Sequence, residues 1–191
     1  MIGAITAGLL SGSAAPAAAT SYESIQTVTV GAGGSGSISF TSIPSTYKHL
    51  QLRIMAKDNR TSQSNNILFR FNSDSSANYS SHALLGLGDN AAPITDVVIN
   101  TTATWSIIAS NGTNANTFAL NVLDIFDYAE TNKYKTTRNL IGFDNNDANG
   151  RIGIFSGNWR STAAINRIDV AFNSATALTQ YSSLALYGIK G

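Results

Sequence analysis

The chain has 191 residues, of which 43% are hydrophobic and 12% charged, a balance that excludes a disordered chain and suits one domain with an appendage. Twelve Lys and Arg residues stand against eleven Asp and Glu residues, and this near-neutral charge excludes the strongly basic surface typical of nucleic-acid-binding proteins. The absence of cysteine excludes a disulfide framework, a thiolate zinc site and a cysteine nucleophile.

Residues 1–20 form an uncharged segment rich in Ala and Gly. A signal peptide with its cleavage site at Ala17–Ala19 is one interpretation, but the basic residue expected near its start is missing. A flexible linker is another, whereas the apolar run is too short for the ~18–20 residues of a membrane span. We favour a short extended arm that docks on a partner. Its apolar contact residues would be Ile2, Ile5, Leu9 and Leu10.

From Ser21 to Gly191 the chain repeats short alternating apolar runs separated by clusters of Gly, Asn, Ser or Asp. Alternation with period two predicts strands of a sheet with one buried face, and no segment shows a capped helical stripe. In residues 118–126 the pattern places Phe118, Leu120, Val122 and Phe126 on one face. Predicted strands lie near residues 25–30, 37–40, 49–55, 67–71, 94–99, 105–109, 118–126, 134–143, 151–155, 168–172 and 183–189.

About ten short strands with turn residues between them are typical of a sandwich or a barrel. We therefore predict an all-β fold for residues 21–191, a jelly-roll-like two-sheet β-sandwich with the arm in front of it. An up-and-down barrel is the alternative. A helical bundle and a doubly wound α/β fold both fit poorly, because the apolar residues do not recur at helical spacing.

The segment Gly31–Gly36 matches the letters of the dinucleotide-binding pattern GxGxxG. That chemistry requires the loop to open a helix whose N-terminus meets the pyrophosphate. Residues 37–40 alternate as a strand instead. The loop is therefore predicted to be a flexible hairpin connection, and no cofactor is predicted from it.

The segment Asp144–Gly150 resembles a calcium loop, because oxygen-bearing side chains alternate before a glycine. The bidentate glutamate that completes such a loop would fall at Ser156, so the strongest ligand is missing. Asn, Asp and Gly are also the residues that turns prefer, and a turn is the favoured interpretation. No metal site is predicted.

Asp124, Asp127 and Glu130 are close enough in sequence to suggest the paired acid and base of a glycosidase. A solvent-facing strand end is the favoured interpretation, since the sequence indicates neither their separation nor a substrate groove. His49 and His82 are the two histidines, and no GxSxG elbow accompanies them. The chain is therefore predicted not to be an enzyme.

Two features are expected to face solvent. Trp159 lies in a polar stretch and is the best candidate for an exposed aromatic contact, although aromatic residues commonly fill sandwich cores. Lys133, Lys135 and Arg138 form the densest basic group of the chain. Their strand spacing favours a solvated edge, because charged side chains discourage edge strands from pairing with other chains.

Five stretches of the body are distinctive in combination: Phe40–Arg53, Phe69–Asp74, Asn78–His82, Asp127–Lys135 and Tyr181–Lys190. Together they resemble a pattern that recurs in virion structural proteins of tailed phages, notably those infecting cyanobacteria and marine bacteria. The resemblance spans about residues 21–191. It implies a β-sandwich subunit on the virus particle, on the head or the tail, and it carries over no catalytic or ligand residue.

The resemblance, the low charge and the apolar arm lead to the prediction of a capsid decoration (cement) protein on the virion. It would be a homotrimer whose arm lies on the major capsid protein, since cyclic symmetry suits a capsid lattice. The alternative is a tail-fibre or receptor-binding module that recognises host-surface glycan, because a jelly roll serves both roles. No nucleic-acid or membrane partner is predicted. Hundreds of copies per particle would indicate the head, and a handful the tail.

Overall fold

A computed structural model of the chain describes residues 21–88, 94–147, 149–172 and 175–191. These residues form twelve β-strands and no helix, which confirms the all-β prediction. The strands are β1 (Tyr22–Thr29), β2 (Ile38–Phe40), β3 (His49–Asp58), β4 (Ser64–Phe71), β5 (Tyr79–Leu87), β6 (Ile94–Thr101), β7 (Thr104–Ser110), β8 (Ala119–Phe126), β9 (Lys135–Phe143), β10 (Arg151–Trp159), β11 (Ile168–Phe172) and β12 (Ser183–Ile189).

Two expectations concern membranes and the arm. Within the described part of the chain, no helix has the length and apolar character needed to span a membrane. The predicted docking arm, residues 1–20, lies outside the described residues. The same holds for its predicted contact residues Ile2, Ile5, Leu9 and Leu10.

Eight strands form a large antiparallel sheet in the order β1-β12-β3-β8-β9-β10-β5-β6. Four strands form a small antiparallel sheet in the order β2-β11-β4-β7. A short parallel pairing between β3 and β7 joins the two sheets. Because β7 also approaches β5, β8, β9 and β10, the small sheet covers the large one and the fold is a β-sandwich. The finer jelly-roll assignment remains a prediction.

The core lies between the two sheets, where alternate residues of the strands are buried. Trp105 of β7 makes an edge-to-face contact with Phe155 of β10, with 4.9 Å between ring centroids. A polar layer crosses the same space, because Asn121 Oδ1 accepts hydrogen bonds from Ser106 Oγ at 2.8 Å and from Asn139 Nδ2 at 2.9 Å. These bonds offset the cost of burying polar side chains and tie β7 to β8 and β9.

Trp159 is buried, with 2% of its surface exposed, so the prediction of an exposed aromatic contact is wrong. It is the last residue of β10, and alternation along the strand turns its polar neighbours outward and the indole inward. The ring packs against Phe71 and Tyr79, with centroid distances of 5.7 Å and 6.1 Å. Its Nε1 donates a hydrogen bond to Asp74 Oδ2 at 2.8 Å, which satisfies the buried N–H group.

Lys135 is also buried, so the solvated-edge prediction is wrong for this residue, although Lys133 and Arg138 are exposed. Its Nζ donates hydrogen bonds to the backbone oxygens of Glu130 (2.6 Å), Lys133 (3.1 Å) and Thr162 (3.3 Å). Burial lowers the pKa of Lys135. The ammonium group therefore ties the loop between β8 and β9 to the segment that follows β10.

The loop Gly31–Gly36 leads into strand β2, as the alternation predicts. It is not a hairpin, because β1 pairs with β12 in the large sheet and β2 pairs with β11 in the small one. Gly34 has a φ of 70°, and a Cβ there would come within 2.8 Å of Leu178 O. The loop therefore carries the chain from one sheet to the other, and the hairpin prediction is wrong.

Candidate assembly surface

The outer face of the large sheet carries the apolar residues of β8 that alternation places on a common face. Leu120 and Phe126 are exposed and Val122 is partly exposed. The buried face of β8 holds the residues between them, including Asn121 and Leu123. The predicted period is thus correct, but the predicted apolar face points outward, because the small sheet covers the opposite face.

Strand pairing gathers outward-facing apolar residues of five neighbouring strands into one surface, which we call the apolar patch. It consists of Met55, Leu84, Leu120, Leu140, Ile152 and Ile154, which expose 44–66% of their surface. Pairing sets Met55 beside Leu120 and sets Ile154 between Leu140 and Leu84. Six half-exposed side chains of this size present on the order of 500 Å², near the upper end of the roughly 300–600 Å² typical of the largest patch on a monomer. The solvated face of an antiparallel sheet is normally polar, so this surface is a candidate contact surface.

Ile152 projects from a gap in the apolar patch. It lies opposite Gly142 of β9 and Gly86 of β5, so neither neighbouring strand places a side chain beside it. Its exposed fraction, 66%, is the largest in the patch. A hollow of about 520 Å³ opens next to it. The hollow is lined by Gly86, Gly88, Gly142, Gly150, Ile152 and the adjoining Phe143, Asp144, Asp147 and Arg151. A projecting side chain and a hollow therefore lie side by side on one surface.

Polar and aromatic side chains cover the other end of the outer face. Arg138 Nη2 donates a hydrogen bond to Asp124 Oδ2 at 2.7 Å, which forms a salt bridge across β8 and β9. The guanidinium of Arg53 lies 4.9 Å from the ring centroid of Tyr187 and 5.5 Å from that of Tyr22. Both rings thus contact a cation of the same chain.

The three carboxylates considered for glycosidase chemistry each contact a cation. Asp124 forms the salt bridge described above, and Glu130 Oε1 lies 3.4 Å from Lys48 Nζ. Asp127 accepts a hydrogen bond from Lys133 and forms a salt bridge with Lys48 at 3.0 Å, and these two ammonium groups lower the pKa of Asp127 to about 2. A catalytic acid requires the opposite shift, so the arrangement of Asp127 favours a structural role.

The two histidines lie on different strands. His49 of β3 accepts a hydrogen bond at Nδ1 from the backbone N–H of Asp127 at 3.0 Å, and its ring meets that of Phe126 edge-on at 5.1 Å. His82 is exposed on β5, opposite Ser156 of β10. His49 therefore fixes the turn that follows β8, and the geometry gives no nucleophile contact to either ring.

The segment Asp144–Gly150 forms the connection between β9 and β10. Asp147 Oδ1 accepts a hydrogen bond from Asn149 N at 2.7 Å, and the buried Asn145 accepts one at Oδ1 from Asn114 N at 2.9 Å. Oxygens at the supposed ligand positions thus hold the turn and dock it on a neighbouring loop, in line with the turn interpretation. In the part of the chain that the structure describes, no group of three or more His, Cys, Asp or Glu residues could hold a metal ion.

No protein-family model, curated protein or solved structure matches this chain in comparisons with known proteins. The candidate site is therefore assigned from the geometry of the described residues alone. What the described residues bring together is a broad apolar face beside a salt-bridged polar end, an arrangement suited to contact with another macromolecular surface. Adjacent apolar pairs, such as Leu84 and Leu85, were the available sequence signal, because a strand with one solvated face should not contain them.

Proposed function

We propose that this chain is a virion structural protein, a capsid decoration (cement) protein that binds the assembled phage head and stabilises it. The observation that carries the proposal is the apolar patch, which is exposed in the isolated chain and would be covered by a neighbouring subunit in a shell. The resemblance of the stretches between Phe40 and Lys190 to tailed-phage virion proteins supplies the setting. The major capsid protein and further copies of this chain are the partners that this setting provides.

Covering the apolar patch would favour attachment by removing apolar surface from water. At about 25 cal/mol per Å², a surface on the order of 500 Å² corresponds to roughly 12 kcal/mol. Association itself costs roughly 4–15 kcal/mol in lost freedom of motion, so the patch alone gives each copy only a modest net affinity. Many copies that bind only the finished shell still shift the equilibrium toward the assembled head by mass action.

A tail-fibre or receptor-binding module that recognises host glycan is the second candidate. The polar end of the outer face favours it, because exposed rings and charged hydrogen-bonding groups lie together there. Arg53, however, lies over both Tyr22 and Tyr187, whose faces a sugar ring would need for stacking. Among the residues that the structure describes, the apolar patch has no such internal partner, and for this reason we place the decoration function first.

Cryo-electron microscopy of the intact particle tests the proposal. We expect density for the β-sandwich at regular lattice positions on the head, with the outer face of the large sheet covered. Quantitative mass spectrometry of purified particles should find hundreds of copies of the chain. Density confined to the tail, together with a handful of copies, would overturn the decoration function and lead to a host-glycan binding screen.

A further inference from the structure

We propose that the neighbour covering the apolar patch is a second copy of this chain, related by a two-fold axis, so that Ile152 of each copy enters the hollow of the other. The inference rests on the proposed function in one respect, since it names the partner of the same surface. The pairing itself is a property of the purified chain and can be measured without the particle.

Gly142 is the first argument for a partner outside the chain. A Cβ added there would meet only Arg151 O, at 3.8 Å, which is an ordinary van der Waals contact. Its φ is not in the left-handed region, so the backbone does not require glycine either. Glycine inside a strand weakens the strand and often marks a place where another chain approaches closely. The described structure of the single chain gives no other reason for glycine at this position.

Gly86 is the second argument, because it allows Ile152 to project. A Cβ at position 86 would lie 3.1 Å from Ile152 Cγ2, and any larger side chain would displace the isoleucine. With glycine on both sides, Ile152 stands free as a knob, and the hollow beside it has space for the same side chain from a second copy. Knob and hollow lie side by side on one face of the sheet, so a second copy turned by 180° presents its knob to the hollow and its hollow to the knob.

Area and charge agree with pairing of identical surfaces. The apolar patch, on the order of 500 Å², is the size of the apolar centre of an interface that buries about 800 Å² on each partner. The outward-facing residues from β8 to β5 in this part of the sheet carry no charge. They are Leu120, Val122, Leu140, Gly142, Ile152, Ile154, Leu84 and Gly86. Two copies that meet face to face therefore bring no like charges together on these strands, and the hollow beside them is lined by charges of both signs, Asp144, Asp147 and Arg151.

The position of Ile152 beside the hollow indicates the symmetry of the proposed pair. In a two-fold contact the same patch serves both subunits, so Ile152 of each copy and the hollow of each copy are buried together. A three-fold ring joins two different surfaces of each subunit and would leave the self-complementary patch uncovered. The geometry thus favours a two-fold pair over the homotrimer expected from lattice symmetry.

Light scattering coupled to size exclusion, on the full chain over a dilution series, tests the pairing. The wild-type chain should have twice the mass of one chain and dissociate on dilution. Ile152→Thr removes the knob and Gly142→Val fills the hollow, and each should weaken pairing by roughly tenfold or more. Ile99→Thr is the matched control, because Ile99 is another strand isoleucine with 65% exposure and lies outside the patch. Thermal unfolding verifies that every variant folds.

The Gly142→Val variant distinguishes specific pairing from general stickiness. It adds apolar surface, so non-specific association would become stronger, whereas a filled hollow excludes the partner's Ile152. A monomeric wild type, a trimer, or tighter association of Gly142→Val would overturn the inference. A monomer that still decorates heads would leave the proposed function intact, and a pair that never binds heads would refute the proposed function alone.

Discussion

In the middle of β8 and β9, the two faces of the large sheet reverse the usual division between polar and apolar residues. Toward the small sheet, β8 and β9 place Asn121 and Asn139, both buried. Toward the outside, the next residues along the same strands are Leu120 and Leu140, which are 46% and 55% exposed. A slip of one residue would bury the charged Asp124 in β8 or Arg138 in β9, and in β9 it would also expose Ile141 and Phe143.

The comparison teaches that hydrogen-bonding partners allow asparagine side chains to lie on a buried face that is otherwise apolar. The inner polar residues are held because Asn121 bonds to Ser106 and to Asn139, and its Nδ2 also donates to Ile107 O at 3.1 Å. At the end of β10 the inner face also carries Trp159, which a slipped strand would expose. The inner face therefore packs against other parts of the chain, whereas the outer face carries an apolar surface that is exposed in the single chain.

Removal of the largest inner side chain should produce the largest effect. Trp159→Ala is expected to lower the free energy of unfolding by about 3–5 kcal/mol, because it leaves a cavity against Phe71 and Tyr79 and deprives Asp74 of a donor. Urea denaturation at neutral pH measures it. Tyr134→Ala is the control, since Tyr134 is 54% exposed and should change the free energy little. Similar losses for both variants would contradict the assignment of Trp159 to the core.

The next largest effect on the free energy of unfolding is expected from substitutions of two glycines that lie on opposite faces of the large sheet. A Cβ at Gly157 would lie 2.4 Å from Thr137 Oγ1 and 2.7 Å from Thr104 Cγ2, inside the core. Gly157→Ala is therefore expected to cost about 1–3 kcal/mol of unfolding free energy through overpacking. Gly142→Ala on the outer face should be neutral or stabilise the monomer by up to about 1 kcal/mol. Denaturation of both variants at low protein concentration measures the pair, and equal costs would refute the difference between the faces.

Asp74, beneath Trp159, should make the inner face sensitive to acid. Burial by itself would raise the pKa of Asp74, but hydrogen bonds from Asn78, Ser76 and Trp159 outweigh it and hold the pKa well below the ordinary value of 3.8. A carboxyl group with a depressed folded pKa stabilises the fold above its unfolded pKa, and this contribution is lost as the pH falls below about 4.

Asp74→Asn is expected to lower the free energy of unfolding at neutral pH by about 1 kcal/mol, a modest figure because Asp74 is partly exposed. The loss should shrink at acid pH, because there the carboxyl group of the unfolded wild-type chain takes up a proton and the charge favours the folded state less. Urea denaturation at neutral pH and at about pH 3 compares the two proteins. An equal loss at both pH values would show that the charge of Asp74 contributes nothing.

Most of the fold could be predicted from the sequence because the strands that face one another across the core alternate clearly. Strand β5, Tyr79–Leu87, is the exception and has no counterpart among the predicted strands. Its buried residues include Ser81 and Ala83, while Leu84 is exposed, so hydrophobicity does not follow its alternation. For the same reason, the alternation in β8 predicts the wrong face as the buried one. The local pattern also does not indicate which of the two sheets a strand joins, and this explains the wrong hairpin prediction at Gly31–Gly36.

The candidate site was largely inaccessible to sequence reasoning for the same physical reason. The polar neighbours Asn158 and Arg160 suggest an exposed position for Trp159. In a strand, however, the residues next to a buried side chain point to the opposite face, so polar neighbours are compatible with burial. The apolar patch depends on the pairing of five strands that are distant in sequence. From local composition one can predict only that these strands, with Leu84, Leu140 and Ile154, contain more apolar residues than a single buried face accommodates.

Leu140→Thr should have the smallest effect on the fold and a clear one on assembly. Leu140 is 55% exposed and threonine suits a strand, so the free energy of unfolding should change by less than about 0.5 kcal/mol. The same change places a hydroxyl at the centre of the apolar patch, between Val122 and Ile154, where a partner would have to desolvate it. Light scattering over a dilution series, with Ile99→Thr as the control, should therefore show weaker pairing for Leu140→Thr alone. If pairing is unchanged while the unfolding free energy drops, Leu140 stabilises the sandwich itself, and the outer face then does not differ from the inner face in this respect.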